Sequence, residues 1–553
     1  MKKIIGAIAL FSAVAACDNT KALKFDGAVK VVTADTIYTG NPKEPIVGGL
    51  VIGSDGRILA TIPKDQWVDI QPSEGEPEML EFPGATLFPG FVDGHAHLQG
   101  IGERELNLNL AGTSSVAELV SKVAAVAETQ TPGSVIVGRG WIETGWPEGR
   151  MPNRLDLDAV APNHSVVLTR ADGHALVANT LALTRGGVVD TTPDPAGGKI
   201  ERDEDGVATG ILIDKAMAFA SKLIATPDDA ELSRRLEVGA EVYASRGWTG
   251  LHNMSVGARE APLMESLDND GRLPIRVHNA FNANGFEIAK ARAHETDTIQ
   301  NRAVKLYMDG ALGSRGALLF SPYSDRPDTS GLALRTLAET KGILDQAAEA
   351  DVQIAFHAIG DLANFYAIEW MSDAIADSED PRWRIEHAQI LREQDIPLFG
   401  QTGIIASMQP SHAIGDLKFA PQRLGMDRLA GAYAWQGVLD TGGIVVGGSD
   451  APVEVGSPLI EFYAAVARKD LEGKDGPGWH PESAVSRNDA LALLTSGPAY
   501  ASFQEDELGT LEVGKFADIS GFNRDLMTVP EADILTAEAV VTIVAGQPVW
   551  VAE

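Results

Sequence analysis

Short β-type segments alternate with helical segments through the middle of the chain, and this alternation constrains the fold more than any other feature. Apolar residues recur at helical spacing in residues 115–129, 230–245, 338–350 and 488–495. Between the helical segments lie short β-rich runs that end in polar residues, at 134–137, 165–169, 276–278, 304–308, 352–357, 383–387, 404–408 and 444–446. Strands that alternate with helices form a parallel sheet. About eight such repeats predict an α/β fold with a closed (β/α)8 barrel of the TIM type.

Both ends of the chain carry short strand-like runs without helical spacing. Turn residues such as Ser54-Asp55-Gly56 separate these runs in residues 27–90, and the pattern returns after about residue 500. We therefore predict a small composite β-sandwich domain built from both termini. The predicted boundaries are 17–88 and 501–553 for the two parts of the sandwich and 89–500 for the barrel, with an insertion at about 100–230.

The charge balance of the chain excludes nucleic acid as a partner. The sequence has 45 Lys and Arg against 77 Asp and Glu, a net charge of −32. Nucleic-acid binding depends on basic residues that neutralise phosphates, so a chain this acidic lacks the necessary surface. The hydrophobic fraction of 44% is that of an ordinary globular protein. We expect a small-molecule substrate and leave the oligomeric state open, with a dimer among the options.

The sole cysteine, Cys17, follows an apolar stretch at residues 4–16. This stretch is too short to span a bilayer but has the length of a secretory hydrophobic region. Because Val14-Ala15-Ala16-Cys17 resembles a bacterial lipobox, we predict a lipoprotein signal peptide at 1–16 and lipidation of Cys17. The alternative is an ordinary signal peptide with an incidental cysteine. The expected location is the cell envelope, lipid-anchored and facing the periplasm, with Asp18 favouring the inner membrane.

Histidine and aspartate residues at predicted strand ends are candidate metal ligands. His95 and His97 lie two residues apart, so on a strand both side chains point to the same face. His357, His387 and Asp450 each end a predicted barrel strand, where barrel enzymes place their chemistry. Imidazole and carboxylate ligands suit zinc, manganese, iron or nickel, and the sequence favours none of them strongly.

Lys305 lies inside the apolar run 304–308, where a buried cation is costly unless it is paired or neutralised. One interpretation pairs Lys305 with Asp309 or another acid. The other is carboxylation by CO2, which gives a carbamate whose two oxygens bridge two metal ions.

Eight motifs resemble the amidohydrolase superfamily, and within it the amidohydrolase-3, YtcJ-like branch that is similar to N-substituted formamide deformylases. They lie at residues 89–97, 138–141, 172–176, 305–315, 357–361, 384–388, 448–450 and 514–519. The resemblance covers roughly residues 27–553, and together with Cys17 it indicates a bacterial lipoprotein form of this branch. It implies a distorted (β/α)8 barrel with a small composite β-domain.

The resemblance also implies a site and an activity. His95, His97 and Asp450 would hold the more buried metal and His357 and His387 the second, with carboxylated Lys305 between them. The expected cofactor is one or two zinc ions, with manganese, iron or nickel as options. The implied reaction is hydrolysis of a non-peptide carbon–nitrogen bond, of the amide or formamide type, by metal-activated hydroxide. Asp450 would transfer the proton, or it would serve only as a ligand. The alternatives are a lactonase or esterase on the same site, or a non-catalytic ligand-binding lipoprotein.

Four further residues are candidate substrate contacts: Trp141, His174, Arg315 and His412. Trp141 could form an apolar wall or pack within its loop. His174 could polarise a carbonyl or be a structural histidine. Arg315 could pair with a substrate carboxylate or with an acid of the chain. We interpret His252 and His278, near strand ends, as scaffold residues.

Overall fold

The computed structural model describes residues 22–553 except 65, 67, 144, 172, 174, 196, 197 and 474–478. Cys17, the predicted signal peptide and His174 therefore lie outside the described residues. Within the described part of the chain, no helix combines the length and the apolar character needed to cross a membrane.

Eight parallel strands form the central sheet. We number them β1 to β8 in chain order: Phe91–Ala96, Trp248–Val256, Arg276–Phe281, Ile299–Tyr307, Gln353–Ala358, Arg384–His387, Ile405–Met408 and Val445–Gly447. Each strand is hydrogen-bonded to the next in the chain, with β1 and β8 at the two ends of this order. Strands of a parallel sheet are buried on both faces, and most residues of these strands are buried.

The end strands β1 and β8 meet, so that the sheet is nearly closed into a barrel. The Asp450 N–H donates to the His95 carbonyl oxygen at 2.7 Å. Gly94 permits this approach, because a Cβ atom there would lie 2.3 Å from Val446 Cγ1 and 2.5 Å from the Gly447 carbonyl oxygen. The predicted TIM-type barrel is therefore confirmed.

Helices connect the strands of the barrel, and further helices belong to the insertion. The α-helices of the described residues are Leu98–Leu106, Val116–Thr129, Arg154–Asp158, Thr180–Gly186, Ala218–Ser221, Asp229–Ser245, Glu260–Asn269, Phe286–Ala291, Leu337–Glu349, Asp361–Ala374, Ile396–Thr402, Pro410–Asp416, Ala420–Leu424, Trp435–Asp440, Pro458–Ala467, Arg487–Leu494, Ser496–Ala501 and Glu531–Ile534. The four helical segments predicted from apolar spacing agree with four of these to within one residue at each end. Their N-termini carry polar caps, such as Asp228, whose side chain accepts from the Glu231 N–H.

Two of the eight runs predicted as barrel strands belong instead to the insertion between β1 and β2. Val135–Trp141 and Ser165–Arg170 lie in a separate six-stranded sheet. The two barrel positions predicted for these runs are taken by β1 and β2. The order of that sheet is Gly198–Arg202, Ala208–Asp214, Ala175–Ala178, Ser165–Arg170, Val135–Trp141 and Leu108–Asn109. The assignment was wrong because these two strands are parallel to each other, so locally they have the pattern of a barrel repeat.

Strands from both ends of the chain join in one seven-stranded sheet. Its order is Gln547–Val551, Ala539–Val544, Ile519–Phe522, Glu78–Pro89, Val29–Tyr38, Ile46–Gly53 and Ile58–Ile62. The two termini meet where Ile519 lies opposite Pro89, two residues before the start of β1. In the part of the chain that the structure describes, the second layer is a pair of short strands, Leu23–Phe25 and Ile70–Pro72, whose apolar residues pack against Val29 and Val31. The structure thus does not confirm a sandwich of two comparable sheets.

Candidate metal centre

The six predicted ligands gather at the C-terminal ends of the barrel strands. His95 lies on β1 and His97 directly after it, Lys305 on β4, His357 on β5, His387 on β6, and Asp450 three residues after β8. Because every strand of a parallel barrel points the same way, residues far apart in sequence meet at one rim. Lys305 is only 2% exposed, so the centre of this group is shielded from solvent.

The Asp450 carboxylate lies beside two histidines, His95 on β1 and His97 directly after it. Its Oδ1 atom lies 3.0 Å from His97 Nε2 and 3.4 Å from His95 Nε2. Lys305 Nζ lies 3.4 Å from the same His95 Nε2 atom. A cation and a carboxylate therefore flank one imidazole nitrogen.

The remaining two histidines extend the group along the rim. The His387 ring centroid lies 4.8 Å from that of His95 and 4.5 Å from that of His357. One ligand atom each from His95, His387 and Asp450 lies within 4.8 Å of the others. Such spacing is suitable for shared coordination of one or two ions.

The hydrogen bonds of the rings test whether the site fits a divalent metal ion. His97 Nδ1 lies 3.0 Å from the Met254 carbonyl oxygen, and His387 Nδ1 lies 2.7 Å from Gln409 Oε1. These contacts engage Nδ1 of each ring and leave Nε2 as the nitrogen available to a metal ion; in His97, Nε2 faces Asp450 Oδ1. His357 Nε2 is buried and has no hydrogen-bond partner among the described residues. Imidazole nitrogens beside a carboxylate are the ligands that a divalent ion binds, so the residues present fit the metal.

Burial sets the charge of the candidate ligands. It lowers the pKa of His95 to about 4 and that of His357 to about 3, with the Lys305 cation acting in the same direction, so both rings are neutral near pH 7. Burial also lowers the pKa of Lys305 to about 8. For Asp450, burial raises the pKa, but His95, His97 and His387 together outweigh this effect and hold it well below its ordinary value.

Among the described residues, Lys305 forms no ion pair with Asp309, the acid named first in one interpretation of this lysine; pairing with another acid stays open. The Asp309 carboxylate instead accepts hydrogen bonds from the backbone N–H groups of Leu318, Ile359 and Gly360, at 2.8 to 3.0 Å. It thereby joins the ends of β4 and β5 through the backbone, and Lys305 remains directed at His95.

The structure brings one predicted substrate contact, His412, to the metal ligands. His412 Nε2 lies 3.8 Å from Asp450 Oδ2, and its ring stacks on His387 with centroids 5.9 Å apart. Arg315 lies elsewhere in a bidentate pair with Asp325, at 3.1 and 2.8 Å. The predicted role of Arg315 toward a substrate carboxylate therefore competes with an acid of the chain itself.

Trp141 does not form the predicted substrate wall. Its side chain is fully buried in the core of the insertion, and its indole N–H donates to the Leu168 carbonyl oxygen at 2.9 Å. His252 and His278 agree with their interpretation as scaffold, because both are buried inside the barrel. His278 lies between the side chains of Gln300 and Gln353.

Sequence reasoning missed the residues that contact the ligands from behind. Glu386, Arg384, Gln409 and Asp93 are buried and hydrogen-bonded next to the site, and none was assigned a role. The available signal was the two-residue spacing of Arg384 and Glu386, which places two charged side chains on one face of the short strand β6.

Comparison with known proteins gives a consistent result. The sequence profile of the family described as "Amidohydrolase family" matches residues 83–550. The protein named "Putative amidohydrolase YtcJ" of Bacillus subtilis (strain 168) is 31% identical over 486 residues, which cover 86% of this chain and 91% of that protein. The N-substituted formamide deformylase of Arthrobacter pascens is 26% identical over 85% of this chain and 89% of its own length.

A solved structure is similar over nearly its whole length. The crystal structure of an uncharacterised metal-dependent hydrolase from Pyrococcus horikoshii OT3 superimposes with a TM-score of 0.72 at 27% identity. The match covers 91% of this chain and 99% of that one.

Proposed function

Since the chain belongs to the amidohydrolase family, a family of metal-dependent hydrolases, we propose that it hydrolyses a non-peptide carbon–nitrogen bond of a small molecule. The bond is an amide or formamide. One observation carries the proposal: His95, His357 and His387, whose pKa values burial lowers, converge with an ionised carboxylate and a buried lysine at one rim of the barrel. The similarity to a formamide deformylase supports the choice of bond.

A divalent ion at this site supplies water of lowered pKa and polarises the substrate carbonyl. The ion is zinc in this proposal, and the neutral histidines together with Asp450 hold it. Asp450 accepts a proton from the attacking water and delivers it to the leaving nitrogen, so that an amide and water give a carboxylic acid and an amine. The low pKa of Asp450 keeps its carboxylate ionised near pH 7.

Lys305 becomes a ligand by carboxylation in this proposal. The neutral amine attacks CO2 and releases one proton, which leaves a carbamate anion on Nζ. The pKa of about 8 that burial gives Lys305 supports this step, because a useful fraction of the amine is neutral near pH 7.5. The carbamate would replace a cation that faces His95 with an anion suited to metal ligation.

His412 is the proposed substrate contact. Its Nε2 atom is buried and without a hydrogen-bond partner among the described residues, and it faces the same carboxylate as the ligands. A ring nitrogen in that position is available to the substrate's polar atoms beside Asp450.

A substrate panel with zinc-loaded protein tests the proposed bond. We expect chelator-sensitive turnover of N-formyl or N-acyl amines and weaker turnover of matched lactones and esters. Faster turnover of the lactones would replace the proposed activity with a lactonase or esterase. Metal binding without turnover of any compound would favour a ligand-binding protein.

We also propose that Cys17, outside the described residues, carries the lipid anchor that holds the enzyme to the inner membrane, facing the periplasm. Mass spectrometry of the N-terminal peptide from the membrane fraction tests this. Wild-type protein should carry acyl chains on Cys17, and the Cys17→Ser variant should leave the membrane fraction. A lipid-free variant that stays in the membrane fraction would contradict the anchor.

A further inference from the structure

A buried ion pair lies directly behind the ligand His95. The Arg384 Nε–H donates to Glu386 Oε1 at 2.5 Å, and Arg384 Nη2 donates to Glu386 Oε2 at 3.1 Å. Glu386 Oε2 in turn lies 2.5 Å from His95 Nδ1. Both charged side chains are completely buried, so water does not solvate either charge.

The guanidinium of Arg384 is fixed from several sides. Its Nη2 also donates to the Gly94 carbonyl oxygen on β1 at 2.5 Å and to Ser407 Oγ on β7 at 2.6 Å. Its Nη1 donates to His252 Nδ1 on β2 at 2.6 Å. Arg384 therefore links β6 to three other strands, which leaves Glu386 little freedom to move.

We propose that Glu386 is a positioning residue, which fixes both the tautomer and the orientation of His95 so that Nε2 faces the metal. The inference rests on the proposed function, since it assumes that His95 binds a metal ion. An ionised carboxylate only accepts hydrogen bonds, so the His95 nitrogen beside it must be the one that carries the proton. The Nε2 lone pair is thereby directed away from Glu386 and toward Asp450 and Lys305.

A carboxylate at this position does what an amide cannot. The side chain of a glutamine can present either its oxygen or its NH2 group to Nδ1, and the second choice stabilises the wrong tautomer. Arg384 holds Glu386 in its acceptor form and in place. Carboxylate partners of metal-binding histidines typically contribute about 10- to 100-fold to metal affinity.

The test is Co2+ affinity of the metal-free protein, measured by isothermal titration and by the visible absorption of bound Co2+. Glu386→Gln should bind Co2+ about 10- to 100-fold more weakly than wild type and change the absorption spectrum. A matched control is Asp518→Asn, which breaks another buried ion pair, between Asp518 and Arg276. Arg276 lies at the N-terminal end of β3, away from the candidate metal ligands at the C-terminal strand ends. This control should lose stability but keep wild-type Co2+ affinity.

A second variant guards against a folding defect. In the Arg384→Met, Glu386→Leu double variant both charges are replaced by apolar groups, an exchange that folded proteins often tolerate. It should show the same loss of Co2+ affinity. Wild-type affinity and spectrum in either Glu386 variant would overturn the inference. Failure of the wild-type protein itself to bind Co2+ would instead refute the proposed function.

Discussion

Asp93 on β1 and Ser449 after β8 join the two end strands of the barrel. The Asp93 carboxylate accepts hydrogen bonds from the Ser449 N–H at 2.9 Å and from Ser449 Oγ at 2.6 Å. It also accepts from the His95 N–H at 3.1 Å and from the Tyr243 hydroxyl at 2.9 Å. Because His95 lies two residues after Asp93 and Asp450 directly follows Ser449, one buried carboxylate holds two candidate ligands in register.

Asp93→Ala should be strongly destabilising, because it leaves four buried donors without their acceptor. We expect the free energy of unfolding to fall by about 3 kcal/mol. Urea denaturation measures the change. Tyr243→Phe is the matched control, since it removes only one of the four donors and should cost about 1 kcal/mol. Equal losses in the two variants would show that Asp93 does not organise the junction.

The metal-free protein should lose stability as the pH falls below 6.5. The pKa values of about 4 for His95 and about 3 for His357 are lower than the ordinary histidine value, so below pH 6.5 the unfolded chain binds protons that the folded chain does not. The free energy of unfolding therefore keeps its full value above pH 6.5 and falls, as the pH drops further, by roughly 1 kcal/mol per pH unit for each histidine. His357→Asn should reduce this slope in urea denaturation between pH 7.5 and 5.5. The same slope in both proteins would contradict a lowered pKa of His357 in the folded protein.

Trp141→Phe should change stability but not catalysis. The substitution removes the buried hydrogen bond to the Leu168 carbonyl oxygen, which is worth about 1 kcal/mol. Because Trp141 lies in the core of the insertion, kcat/KM for N-acyl amines with aromatic or aliphatic substituents should stay within about twofold of wild type. A selective loss for aromatic substrates would restore Trp141 as a substrate wall.

Activity recovered after removal of metal should depend on CO2. Zinc restored in CO2-free buffer should give less activity than zinc restored with bicarbonate, and intact-mass analysis should show the addition of one CO2. Lys305→Gln, which lacks the amine, should show neither effect. A wild-type protein whose recovered activity is independent of bicarbonate would show that Lys305 acts without carboxylation.

The barrel could be predicted from sequence because its evidence is local. Strand and helix patterns repeat along the chain, and the polar residues that end the strands must meet at one rim. The error at 134–137 and 165–169 arose from the same rule, since a parallel pair of strands in an insertion has the same pattern as a barrel repeat. Only long-range pairing of β2 with β1, across more than a hundred residues, distinguishes the two.

The candidate ligands could be predicted, but the residues behind them could not. His95, His357 and Asp450 are recognised by residue type at a strand end. The roles of Glu386 and Asp93 depend on which strands become neighbours and on side chains that meet across the barrel. The burial of Trp141 depends likewise on the packing of the insertion, which local sequence does not specify.

Hydrolysis of an N-formyl amine during removal and return of zinc tests the central claim most directly. Activity should vanish when a chelator removes the metal and return as zinc is added, reaching a plateau at one or two equivalents per chain. Asp450→Asn, titrated in parallel, should stay inactive at every zinc level. Full activity of the metal-free wild-type protein would contradict a metal-dependent hydrolase at this site.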